Sequence, residues 1–174
     1  GSRKPTVERI FPVLEAAHGV LSERPAVTIY PSEEIGEVLR ALRPPPEITL
    51  HPTGVPVAAS AVLTASGTMS LHCALAGIPG AIVYQIDGLT YLLGRWLVKV
   101  PYLGIANLLL NEPMYPEYIQ KAATLKALAG ELRACLHDPA RIARTVEQAA
   151  RLRALLGQPA GGTAADWLAK QLEA

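Results

Sequence analysis

The sequence predicts an α/β domain, three layers deep, built on a doubly wound parallel sheet with further helices at its C-terminal end. Three observations carry this. Short apolar runs that fit buried strands alternate with runs of helical spacing through the first half of the chain. The run "ASAVLTA" is apolar or small at nearly every position, as in a strand covered on both faces of a parallel sheet. The 174 residues, 50% hydrophobic and 18% charged, are enough for one domain with a proper core.

The elements follow in order. Val7, Ile10, Phe11, Leu14, Ala17 and Leu21 recur at helical spacing and predict a helix from about Thr6 to Ser22. "PAVTIYP" is a short strand between prolines. In "SEEIGEVLRALRP", Ser32 reads as the N-cap of a second helix, in a capping-box pattern with acidic residues in the first turn. "EITLHP" is the next strand, and a Pro/Gly-rich connection leads to "ASAVLTA". A turn over Ser66–Thr68 opens a helix from about Met69 to Ala76, which stops at Gly77 with Pro79 behind it, before the strand "GAIVYQI". Beyond Asp87 the pattern is helical. A segment around Leu89 to Val98 precedes a loop centred on "PYLGIANLLLNEPMYPEYIQ". Helices over Leu125–Leu136, Pro139–Leu156 and Ala164–Leu172 complete the chain, with "GQPAGGT" as a flexible joint before the last. Within one domain, residues 1–88 form the core, and residues 89–174 supply a site loop and the C-terminal helices.

Composition narrows the function. A net charge of +1 leaves no electrostatic footprint for nucleic acid, so no such partner is expected. His18, His51, His72 and His137 are scattered without ligand spacing, and no metal site is predicted. Neither a Gly-x-Ser-x-Gly elbow nor a P-loop occurs. Cys73 and Cys135 lie in apolar helical runs and read as buried free thiols of a cytosolic protein. No run reaches the roughly 18–20 apolar residues of a membrane span, and no signal sequence opens the chain, so a soluble protein is expected. "GLTYLLGRWLVKVPYLGIANLLL" is unusually apolar, with Arg95 and Lys99 four residues apart; burial in the core or a partner interface is favoured over contact with a membrane surface.

Two turns could carry chemistry. Ser66-Gly67-Thr68 joins a buried strand to a helix: Gly67 permits close backbone approach, Thr68 can cap, and the free amides form an anion site. Capping alone would explain the same residues. Gly1-Ser2-Arg3 poses the same alternative with an added guanidinium, which suits a diphosphate, although an initial Gly-Ser is also what a cloning scar looks like. Glu117 and Gln120 of "YPEYIQ" read as one face of a short helix or as its cap. Asn107 reads as a turn former or as a ligand-binding side chain.

Taken together, "GSR…ERIFPVLEAAHGVL", "ASAVLTASGTMSLHCALAGIPGAIVYQ", "LTYLLGRWLVKVPYLGIANLLL", "PEYIQ", "LHDPAR" and "AADWLAKQLE" resemble, in order and spacing, the C-terminal half of the lipid-A-disaccharide synthase family. The resemblance implies the Rossmann-like C-terminal half of a GT-B glycosyltransferase. In that family a UDP-2,3-diacylglucosamine donor gives its sugar, with inversion, to 2,3-diacylglucosamine 1-phosphate. The resemblance implies no cofactor and no metal. It places Gly1, Ser2 and Arg3 at the donor diphosphate, Ser66, Gly67 and Thr68 at the nucleotide, His72 in the ribose-binding position, and Asn107 with Gln120 facing the cleft. It puts no catalytic residue in this chain, because the acceptor-binding half with its general base is the other half of the family's fold. A homodimer joined through the C-terminal helices, and a cytoplasmic location peripheral to the inner membrane, are the corresponding expectations.

The departures matter equally. His72 stands where the family usually has a glutamate, and a neutral imidazole offers one acceptor nitrogen in place of two carboxylate oxygens. Glu112 reverses a common arginine, Ser60 replaces a common aspartate, and Ala106 replaces a proline. These changes leave open an alternative: a diverged, non-catalytic module that keeps the fold and acts in oligomerisation or partner binding.

Overall fold

Residues 80–84, Gly-Ala-Ile-Val-Tyr, form a strand buried along nearly its whole length, because helices cover both of its faces. In the computed structural model, which describes residues 3–21, 25–65, 67–85, 101–158 and 162, this strand is β4 of an α/β arrangement. Before it come α1 (Lys4–Gly19), β1 (Ala26–Tyr30), α2 (Glu33–Ala41), β2 (Ile48–Pro52), β3 (Val62–Thr64) and α3 (Thr68–Leu75). After it come α4 (Ile105–Leu110), β5 (Glu117–Ile119), a 3-10 turn (Gln120–Ala122), α5 (Leu125–His137) and α6 (Pro139–Leu156). Among the described residues every strand pair is parallel. β1 pairs with β2 in one ladder, and β4 lies between β3 and β5 in the other.

Alternation along β4 sorts the layers. Val83 packs with Ile10 and Ala17 of α1 and Leu128 and Leu132 of α5. Ile82 points the other way, into a cluster with Ala74 of α3, Ala106 of α4, Tyr115, and Ala149 and Leu152 of α6. α1 also places Val7 and Phe11 against Tyr30, Ile35, Leu39 and Ile48, covering one face of the β1–β2 ladder. This is the three-layer Rossmann-like arrangement expected from the sequence, with C-terminal helices packed upon it.

β3 and β4 approach so closely at their amino ends that a Cβ on Gly80 would run into the carbonyl oxygen and Cγ1 of Val62. Gly80→Ala is therefore expected to cost about 1–3 kcal/mol by overpacking, read as a lower calorimetric melting temperature.

A buried ion pair fastens α5 and α6 to this strand. Arg141 and Glu131 lie 3.2 Å apart with side chains only 6% and 12% exposed. Arg141 also donates to the Gly80 carbonyl at 2.8 Å and to Thr145 Oγ1 at 2.7 Å. Tyr118 OH and Cys135 Sγ donate to the same Glu131 carboxylate. Burial, reinforced by that carboxylate, pushes both the Tyr118 phenol and the Cys135 thiol up to about 12.

Several expectations need correction. α1 starts at Lys4, with Pro5 in its first turn where an N–H would lack a partner anyway, and ends at Gly19. Ser32 is the N-cap of α2 but makes no side-chain cap bond. Ile35 occupies the third helical position, where a capping box needs Glu or Gln, while Glu33 pairs with Arg40 and Glu34 with Lys4. The segment read as a loop, residues 101–120, holds α4 and β5, so Asn107 is helical and Glu117 lies in a strand. Cys135 is buried as expected, whereas Cys73 is half-buried; both are free. The helices expected around Leu89–Val98 and Ala164–Leu172 lie outside the described residues.

Candidate functional site

Parallel strands all end on one edge of the sheet, and the turns that follow them gather there. Gly67 lies just past the end of β3, and Gln120 directly follows β5. Gly67, not Thr68, is the N-cap of α3, at φ 137°, a backbone angle that excludes ordinary L residues. Its carbonyl accepts from the Ser70 amide at 3.1 Å and the Ser70 hydroxyl at 2.6 Å, which fixes the first turn. Thr68 and His72, four residues apart, share the exposed side of α3, while Ser70 and Ala74 are buried.

Arg3 is the N-cap of α1 in extended conformation, and its side chain is exposed. Lys4 beside it pairs with Glu34 at 2.9 Å. This joins the start of α1 to the start of α2, so Arg3 belongs to the edge where β1 ends. Gly1, Ser2 and Ser66 lie outside the described residues.

Asn107 is placed quite differently. It is fully buried, and its amide is spent within the chain. Nδ2 donates to Tyr115 O at 2.7 Å and Glu117 Oε1 at 2.8 Å, while Oδ1 accepts from the Tyr115 amide at 2.9 Å. Glu117 in turn accepts from the amides of Leu103, at 2.9 and 3.0 Å, and Gly104, at 2.9 Å. A carboxylate of the chain itself thus holds the entry to α4, and Asn107 locks that entry to β5. Tyr115 OH donates to the Ile78 carbonyl, and burial drives its phenol well above the usual range. Immediately beyond β5, Gln120 adopts φ 51°, a left-handed backbone uncommon for a residue with a side chain.

Glu112 faces α6. It accepts from Gln148 Nε2 at 2.8 Å and Arg151 at 2.9 Å. The Gln148 bond, followed by Arg151, holds its carboxyl below the usual carboxylate range. Among the described residues no group of three or more His, Cys, Asp and Glu is placed to hold a metal ion. No helix among them is long and apolar enough to cross a membrane.

Gly67 and Thr68 thus stand at the carboxyl end of β3 and Gln120 at that of β5, Arg3 lies at the start of α1 beside the start of α2, His72 sits one turn into α3, and Asn107 is buried. Sequence reasoning missed Tyr115 and the Glu131–Arg141 pair. Nothing in spacing marks them, since the bonds from Tyr115 to Ile78 and from Arg141 to Gly80 join residues 37 and 61 apart in the chain.

Parallel ladders among the described residues, with helices on both faces of β4 and a glycine-capped helix start following β3, define a domain of the Rossmann-like class, matching the C-terminal half of a GT-B fold. The family model described as lipid-A-disaccharide synthetase matches residues 49–170. A lipid-A-disaccharide synthase of Geobacter metallireducens is 32% identical over 90% of this chain, and one of Syntrophus aciditrophicus is 33% identical over 91%. That of Aquifex aeolicus is 49% identical over a shorter stretch of 63 residues. This chain belongs to the lipid-A-disaccharide synthase family. It spans less than half the length of the first two relatives, covering 43% and 44% of them.

Proposed function

We propose that this chain is the donor-binding half of a lipid-A-disaccharide synthase, which takes a UDP-activated acylated glucosamine and presents it for inverting transfer to an acylated glucosamine 1-phosphate. The observation that supports this most is the placement, in a member of that family, of two helix starts with Arg3, Gly67 and Thr68 at the edge where parallel strands end. Departure of UDP builds charge on the diphosphate. Helix-end amides and a guanidinium stabilise such charge without a metal. Ser66 and Gln120 complete the nucleotide side, with Gly1 and Ser2 beside Arg3. Asn107 serves the site from behind, through Tyr115 and Glu117. The acceptor and the base that deprotonates its hydroxyl belong to a part of the enzyme other than this chain. A homodimer at the cytoplasmic face of the inner membrane is the assembly this reading carries with it.

Calorimetric titration with UDP tests the reading. Binding is expected, and Arg3→Ala should weaken it about tenfold, the worth of one charge-assisted hydrogen bond. Neither heat nor a thermal shift at millimolar UDP would overturn the proposal. One observation favours a second reading, a non-catalytic module: His72 is exposed on α3 where the family usually carries a carboxylate. His72→Glu separates the two. It should tighten UDP binding if the site is in use, and change nothing if it is not.

A further inference from the structure

β4 reaches further toward the carboxyl edge than its neighbour β3. The last rung between them pairs Thr64 with Ile82, whereas β4 and β5 stay paired through Tyr84 and Ile119. Tyr84 is therefore the terminal residue of the middle strand, between the turn capped by Gly67, which follows β3, and Gln120, which follows β5. Strand alternation sets its side. Ile82 faces the cluster built with α3, α4 and α6, so Tyr84, two residues on, faces the same layer. Ile82 already fills the space beneath the start of α4, where a Cβ on Gly104 would strike its Cδ1. Tyr84 lies two residues nearer the edge and is half-buried, on the face where α3 and α4 pack together. Its hydroxyl differs from those of Tyr115 and Tyr118. Tyr115 OH donates to the Ile78 carbonyl and Tyr118 OH to Glu131, but among the described residues nothing hydrogen-bonds the Tyr84 hydroxyl.

We propose, on the reading of this chain as a UDP-sugar-binding half, that Tyr84 recognises the glycosyl group of the donor, its ring against a C–H face of the pyranose and its phenol bonded to a sugar hydroxyl. In that reading the start of α3 holds the diphosphate, and a ligand anchored there can extend in two directions. One runs along the outer side of α3, where Thr68 and His72 turn away from the packed side that carries Ser70 and Ala74. The position of His72 goes with the ribose, which leaves the other direction, across the ends of β4 and β5, to the sugar. The residues that end those strands or directly follow them are Tyr84, Ile119 and Gln120. An aromatic ring suits the uncharged part of the donor. Pyranose C–H groups gain from apolar contact with it, and a phenol can both donate to and accept from a hydroxyl. A diphosphate would gain nothing there, because the face of the ring is the negative side of its quadrupole.

Calorimetric titration with UDP and with UDP-N-acetylglucosamine, which carries the same glucosamine ring, tests it. Tyr84→Phe removes the hydroxyl and keeps the packing, so the result does not depend on how a bolder variant folds; Tyr84→Leu removes the ring as well. Tyr84→Phe should weaken UDP-N-acetylglucosamine about fivefold, the worth of one neutral hydrogen bond, and Tyr84→Leu by at least about tenfold. UDP affinity should stay within about twofold in both, because UDP lacks the group that Tyr84 touches. In proton NMR the pyranose protons should move upfield on binding to the unaltered protein, through the ring current of Tyr84, and this shift should vanish in Tyr84→Leu. Equal losses for UDP and UDP-N-acetylglucosamine would overturn the proposal by placing the ring at the nucleoside. Unchanged affinity for both ligands would overturn it by placing the ring outside the site, and so would an unaltered protein that binds UDP but not the UDP-sugar. In each of these cases UDP still binds and the donor-binding reading survives. Only if the unaltered protein binds neither ligand do both fall together.

Discussion

Asn107→Ala is expected to destabilise the protein by about 3–5 kcal/mol, because it leaves both the N–H and the C=O of Tyr115 buried without partners, at about 1–3 kcal/mol each, and also removes a bond to Glu117. Tyr115 is itself fully buried, so water cannot replace the lost amide. In a protein of this size the melting temperature should drop by about 10 °C. Urea denaturation followed by far-UV circular dichroism measures the change. Asn107→Asp is the sharper companion. It keeps the shape and the acceptor for the Tyr115 amide but sets a carboxylate against Glu117 Oε1, where Nδ2 now donates at 2.8 Å. A loss below about 1 kcal/mol in both variants would show that the segment finds other partners.

Arg141→Met should cost about 3–5 kcal/mol, the usual penalty for taking one partner from a buried ion pair. Glu131 would keep its charge at 12% exposure, and the Gly80 carbonyl would lose its donor. The double variant Arg141→Met with Glu131→Gln should recover much of that loss, because the unpaired charge is gone while Tyr118 OH and Cys135 Sγ keep an acceptor. Equilibrium unfolding of both single variants and the double gives the coupling energy. Additive losses would mean that Arg141 and Glu131 contribute independently.

How far the sequence could be read follows from where each element gets its order. α6 was legible from end to end, since Asp138 caps it through the Ala140 amide at 2.9 Å, Pro139 opens it, and its apolar period is long. α5 was nearly as clear, with Thr124 capping the Ala127 amide. α4 has six residues and β5 three, too few for any period to show. Their order comes from the bonds of Asn107, Tyr115 and Glu117, which join residues 8 to 14 apart in the chain. The candidate site divides in the same way. Gly67 and Thr68 declared themselves as a strand-to-helix turn, whereas the engagement of Glu112 with Gln148 and Arg151, 36 and 39 residues downstream, could not be read from spacing.

The hold of Glu117 on Leu103 and Gly104 also has a mechanical side. Both carboxylate oxygens are anchored in backbone amides while the residue itself is a rung of β5. A tug on the end of that strand, at Gln120, is therefore transmitted as a rigid linkage to the start of α4 and not absorbed as slack in the intervening turn. Strand and helix start move as one part, like the two jaws of a closed clamp.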